Sequence, residues 1–147
     1  MEGQVRDPLR KKWVALTAEE RVRQWFIGVM HAQMDIPMHM MMSEVFLQCG
    51  EGPVRKRYRA DILVYDRELQ PLMVVECKRP DVDLDGAVLE QAMRYNRILQ
   101  VRFLAVTNGD RTMLFRREDG WFRPVSEAPR YADMLAYNPA GQQNMEK

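Results

Sequence analysis

Asp61, Glu76 and Lys78 are the side chains of this chain whose types and spacing could do chemistry. The last two close the run Pro71-Leu-Met-Val-Val-Glu-Cys-Lys78, where an apolar, β-branched strand continues without a break into a carboxylate and an ammonium. Alternation along a strand puts Val74, Glu76 and Lys78 on one face, and Met73, Val75 and Cys77 on the other. The plainest reading is a strand that reaches the surface and ends in a Glu76–Lys78 ion pair. A hairpin closed by Asp66-Arg-Glu-Leu-Gln-Pro71 offers another. With Tyr65 opposite Leu72, Asp61 falls opposite Glu76, and directly opposed residues point to the same face. Two carboxylates set across a sheet repel, and a divalent cation between them removes the repulsion. Mg²⁺ or Mn²⁺ takes carboxylate and carbonyl oxygens plus waters, and the Cys77 backbone carbonyl is a further candidate ligand. Lys78 beside such an ion could orient or help deprotonate an attacking water and stabilise developing negative charge.

Those side chains need a frame. Thr17-Ala-Glu-Glu20 is a capping box, with Thr17 as N-cap and Glu20 three residues on. It starts a helix to about Gln33, with Val22, Trp25, Phe26, Val29 and Met30 at helical spacing, and Asp35-Ile36-Pro37 ends it. Strands are expected over 41–48 (closed by Gly50 and Gly52-Pro53), over 59–65 and through the Pro71–Lys78 run. A helix over 84–99 follows, then a hairpin turning at Asn108-Gly109, then a short helix near 128–137. The order α-β-β-β-α-β-β predicts an α/β fold, a single mixed sheet of about five strands flanked by helices. The helix between the third and fourth strands is what a parallel crossover needs. Residues 1–16 read as an N-terminal arm, 17–137 as one domain and 138–147 as a polar tail.

Asp61, followed fifteen residues later by Glu76-Cys77-Lys78 on an adjacent strand, resembles the PD-(D/E)XK nuclease superfamily. Gln91-Ala-Met-Arg-Tyr95 adds a QxxxY in the next helix. Together with RADILVYD, VVECKRP, QAMRYN and VTNG, the chain resembles the N-terminal nuclease domain of the restriction (R) subunit of type I restriction enzymes, from about Asp7 to Arg117. The resemblance implies a restriction-endonuclease-like αβββαβ core and Mg²⁺- or Mn²⁺-dependent hydrolysis of DNA phosphodiesters by water. It makes Asp61 and Glu76 metal ligands and Lys78 the assistant of the water, with Gln91 and Tyr95 positioning metal-site groups or phosphate. Glu20 matches the acid that such nucleases often add from their first helix, although the capping box already gives it a structural job. The chain departs from the pattern in two ways. Ala60 stands where the motif name has proline. No helicase-like motor domain and no GxxxxGK[ST] is present in this sequence, so ATP-driven restriction would need a separate motor or specificity subunit.

Arg55, Lys56, Arg57 and Arg59 lead into Asp61 and are the candidates for DNA phosphate contact, although most charge runs are only solvated surface. The net charge of +1 gives no global pull on a polyanion, so any such contact rests on this local cluster. His31 and His39 read as surface or satisfied core residues, and no paired nucleophile and histidine supports covalent catalysis. Cys49 and Cys77 lack zinc-like spacing and read as reduced thiols of a cytoplasmic protein. No apolar run approaches the roughly 18 residues of a membrane span. Six of the twelve methionines lie between Met30 and Met42, as adaptable core filler does. Two other functions compete with the nuclease: a non-cleaving nucleic-acid-binding module of the same fold within a larger complex, and an interaction domain whose Glu76–Lys78 pair is only an ion pair. Divalent-metal binding separates the nuclease from the last of these.

Overall fold

The computed structural model describes residues 3–49 and 52–139. The elements run β1 (Gln4–Asp7), β2 (Lys12–Ala15), α1 (Ala18–Gln33), β3 (Met41–Cys49), β4 (Lys56–Tyr65), β5 (Pro71–Cys77), α2 (Gly86–Leu99), β6 (Phe103–Thr107), β7 (Thr112–Glu118), β8 (Trp121–Pro124) and α3 (Tyr131–Ala136). Strands β3 to β8 form a six-stranded sheet in chain order. Its β5–β6 pair is parallel, and α2 makes the crossover between them. The mixed α/β sheet therefore stands as expected, with one strand more, because the short β8 adds to the edge of β7. The expected arm is also different: β1 and β2 close into an antiparallel hairpin. The Asp7 carboxylate holds its turn by accepting from the Leu9 N–H and pairing with Arg10. The tail beyond residue 139 lies outside the described residues, as does Gly50. Among the described residues no helix is long and apolar enough to cross a membrane.

Each face of the sheet carries one long helix. Val22, Phe26, Ile27 and Met30 of α1 pack with Ile62, Val64, Met73, Val75, Phe103 and Ala105. Met34 and Met41 join that core, while Met42 is exposed, so most of the methionine cluster is filler. Ala92, with Val88, Leu89 and Met93, brings α2 onto Leu63, Val74, Leu104 and Val106 of the other face. Helix α1 starts at the expected N-cap, with the Thr17 hydroxyl accepting from the Glu20 N–H at 3.0 Å. The reciprocal half of the capping box is missing, because the Glu20 carboxylate turns to Arg10, Arg23 and Gln24. Replacing Thr17 with Ala is expected to cost about 1 kcal/mol in denaturant unfolding, and Thr17→Ser far less. Equal losses in the two variants would show that the cap hydrogen bond contributes nothing.

Two irregularities alter the expected register. A bulge after Val64 pairs Tyr65 with Pro71 rather than Leu72. The ladder still matches Ile62 with Val75, but it ends there, and the Asp61–Glu76 rung does not form. On the other side of β4, Ser43 pairs Ile62 and Val45 pairs Ala60, while Glu44 and Asp61 between them skip their rung. At this point both strands turn over. Ile62 belongs to the α1-side core and Ala60, two residues away, to the α2-side core, although a regular strand puts i and i+2 on one face. Glu44 takes up the irregularity with φ +55°, a left-handed conformation rare for a residue with a Cβ.

Candidate active site

Glu76 sits near the end of β5 and faces α2, as alternation from the buried Val74 requires. A cleft of about 180 Å³ opens there, lined by Glu76 and Lys78 from the β5 end, Gln91 and Tyr95 from α2, and Arg57, Tyr58 and Arg59 from β4. Four of the five expected catalytic residues thus meet in one cleft. Asp61 does not line it. Its carboxylate instead takes the place of the missing rung, with Oδ2 accepting the Cys77 N–H at 2.7 Å, so it sits in the fork where β4 and β5 separate.

The electrostatics single out two carboxyls. Burial pushes the Glu76 carboxyl up to about 7, helped by Glu19 and opposed by the Lys78 ammonium. Its Oε2 is buried and without a hydrogen-bond partner. Burial also raises the Asp61 carboxyl, against the Cys77 N–H that favours its charged form. A buried carboxylate oxygen without a partner is the kind of hard oxygen donor that a small divalent cation prefers. Among the described residues, no three acidic, histidine or cysteine side chains stand close enough to hold an ion by themselves. A set of one or two carboxylates fits an ion that keeps several waters and takes ligands from its substrate. The Cys77 thiol is buried and pushed well up by that burial, which makes it a poor nucleophile.

The adjacent acids Glu19 and Glu20 at the start of α1 have different surroundings. Glu20 accepts from Arg10 (2.8 Å), Arg23 (3.2 Å) and Gln24 (2.8 Å), so both of its oxygens are engaged. The half-buried Glu19 acts electrostatically on Asp61, Glu76 and Cys77 together. The resemblance points to Glu20, whose carboxylate is taken up by the arginines and Gln24. Arg23 was missed as well: it is buried in α1 and donates to the Asp61 carbonyl at 3.1 Å. Tyr58 was the third omission, and its ring stacks on Tyr95 with centroids 5.0 Å apart. Strand alternation from the buried Ala60 would have turned Tyr58 toward α2.

The remaining candidates fall into place around the cleft. Gln91 is exposed, so water can satisfy its amide. Arg55, Lys56 and Arg57 are exposed at the start of β4, Arg57 over the Phe46 ring at 3.9 Å, whereas Arg59 is engaged by Glu44 at 3.2 Å. His31 donates locally from Nδ1–H to the Ile36 carbonyl at 3.1 Å. The Asn108-Gly109 turn is structural: Asn108 accepts from the Asp110 and Arg111 N–H groups and donates to Val82 O, and Gly109 has φ +90°.

A family model described as the type I restriction enzyme R protein N terminus (HSDR_N) matches residues 18–129. Among solved structures, a fragment assigned to the HsdR subunit of a type I restriction enzyme from Vibrio vulnificus YJ016 superposes with a TM-score of 0.59 at 22% identity. The superposition covers 82% of this chain and 25% of that one, so this chain spans about a quarter of that relative's length. At this identity the likeness concerns the fold. A search of curated proteins finds no match.

Proposed function

Because the chain belongs to the type I restriction enzyme R protein N-terminal family, we propose that it is a metal-dependent deoxyribonuclease of the PD-(D/E)XK type. The observation that carries the reading is the convergence of Glu76, Lys78, Gln91 and Tyr95 in one cleft, with Glu76 Oε2 buried and unpartnered. Mg²⁺ or Mn²⁺ would be held by Asp61 and Glu76, with the Cys77 carbonyl and, across the N-terminus of α1, Glu19 as the supporting acid. Bound there, the ion supplies Lewis acidity to a phosphodiester and lowers the pKa of its water. Lys78 places a positive charge where the attacked phosphate gathers negative charge, and it can orient the water. Gln91 offers an amide to that water or to a phosphate oxygen. Tyr95, braced by Tyr58, fixes the turn of α2 that presents Gln91.

The test is to incubate the purified protein with plasmid and with single-stranded DNA, with Mg²⁺ or Mn²⁺ against chelator. Metal-dependent nicking supports the reading, and intact DNA under all conditions argues for the second one. That second reading is a non-cleaving DNA-binding module of the same fold, favoured by the lack of a ready three-ligand cluster among the described residues. Either way, the longer relative makes a motor or specificity subunit the natural partner for such a domain.

DNA phosphates would be gripped by Arg55, Lys56 and Arg57, which are exposed and lead along β4 to the cleft. Each phosphate neutralised on duplex DNA lowers log affinity by about 0.9 per unit of log salt. Replacing the three with Gln is expected to flatten that slope by up to about three contacts' worth, for all sequences alike. The measurement is a salt titration of labelled DNA in Ca²⁺. An unchanged slope would move the DNA path elsewhere.

A further inference from the structure

Three arginines gather on the carboxylate of Glu44, the residue that carries the irregularity of β3. Arg10 reaches its Oε1 at 2.6 Å, Arg59 its Oε2 at 3.2 Å, and Arg23 approaches the same oxygen at 3.9 Å. Two of the three also touch Asp61. Arg23 donates to its carbonyl, and the other nitrogen of Arg59 stands 3.9 Å from Asp61 Oδ1. Arg59 is therefore shared unequally between two carboxylates, and the nearer one is Glu44.

The backbone makes that sharing possible. Glu44 and Asp61 would face each other on the rung that both strands skip. The left-handed turn at Glu44 is strained for a non-glycine residue, and the arginines on its side chain are the contacts that can hold it there. A strained residue in mid-strand, beside the residue that the site depends on, is the pattern from which a functional role is inferred.

We propose that Glu44 is a positioning residue that keeps Arg59 off the Asp61 carboxylate, so that this carboxylate remains free for a divalent cation. The inference rests on the reading of Asp61 as a metal ligand. Without Glu44, the guanidinium of Arg59 has one carboxylate left within reach. It closes on Asp61, draws the carboxylate from the Cys77 N–H and competes with the cation. Arg59 is thus a tethered rival of the metal, and Glu44 is its parking place.

Glu44→Gly is the informative variant, because glycine accepts φ +55° and the carboxylate alone is lost. Two readouts are taken on the intact chain. By calorimetry, Mn²⁺ affinity should fall about tenfold in Glu44→Gly and return in the double variant Glu44→Gly/Arg59→Gln. In metal-free protein, hydrogen exchange at the Cys77 amide should speed up in Glu44→Gly and slow again in the double variant. A merely structural Glu44 predicts no rescue, since removing a second partner only weakens the cluster further. Wild type that binds no Mn²⁺, with the exchange pattern as described, would sink the metal reading and leave the role of Glu44 toward Asp61 standing. Wild-type Mn²⁺ binding with affinity and exchange unchanged in Glu44→Gly would overturn the role of Glu44.

Discussion

Lys78→Ala is expected to slow Mg²⁺-dependent cleavage by about a hundred- to a thousandfold, the range seen when one preorganised stabiliser of transition-state charge is removed. Lys78 lines the cleft beside Glu76 and is the ammonium whose field works on that buried carboxyl. Its charge therefore acts at the place where negative charge would develop. The loss should appear in kcat with DNA binding little changed, because an interaction made mainly in the transition state leaves ground-state affinity alone. Because the ammonium lowers the Glu76 pKa, the comparison is made as a pH profile, and the loss that persists on the alkaline plateau is the part that does not act through the protonation of Glu76. Lys78→Arg keeps the charge but replaces a compact point charge with a wide fork, and should recover only part of the rate. A cleavage rate within a few-fold of wild type in Lys78→Ala would take Lys78 out of the chemistry.

The second large effect is on stability, and it runs opposite to activity. The folded Glu76 carboxyl titrates at about 7 against an ordinary 4.5. A group whose pKa is raised on folding supports the fold fully below its unfolded value and loses that support as pH rises through the folded one. Here the window is pH 4.5 to 7, and above it an ionised Glu76 costs up to about 3 kcal/mol. Glu76→Gln removes that charge. In metal-free protein at pH 8 the variant should be more stable by up to about 3 kcal/mol, or about 10 °C in Tm. Its melting temperature should also vary less between pH 4.5 and 7. The same variant should lose metal-dependent cleavage. In wild type, Mn²⁺ affinity should weaken below pH 7, because the ion must displace a proton. A Glu76→Gln protein no more stable than wild type at pH 8 would mean that the buried carboxylate is already compensated.

Much of this site could be read from the residues, and the reasons are local. Thr17 announces the start of α1 through its hydroxyl, Leu72–Val75 is a strand by composition, and Gln91 and Tyr95 lie one helical turn apart. Each depends on chemistry within a few residues. What escaped depends on distant partners. The β1–β2 hairpin is short, and its Arg10 reaches Glu20 and Glu44 far along the chain. Strand β8 has four residues and exists because β7 offers it an edge. The displacement of Asp61 into the fork needs a left-handed glutamate on another strand, which no alternation pattern in β4 foretells. Glu19 and Glu20 are adjacent identical side chains. Only the rotation of α1 against the sheet gives one to the arginine cluster and leaves the other to act on Asp61 and Glu76 through its charge.

The turn at Glu44 has a bearing on solubility as well. Strand β3 forms one border of the six-stranded sheet and runs nine residues, with Met42 and Phe46 about half exposed along it. A straight border of that length presents a row of free backbone donors and acceptors, which a second copy could extend into an intermolecular sheet. A left-handed residue in its middle breaks the row into two short pieces of opposite facing. The charged cluster around Glu44 adds a further obstacle to an incoming strand. The feature that keeps Asp61 in place thereby also guards the protein against self-association through its longest open edge.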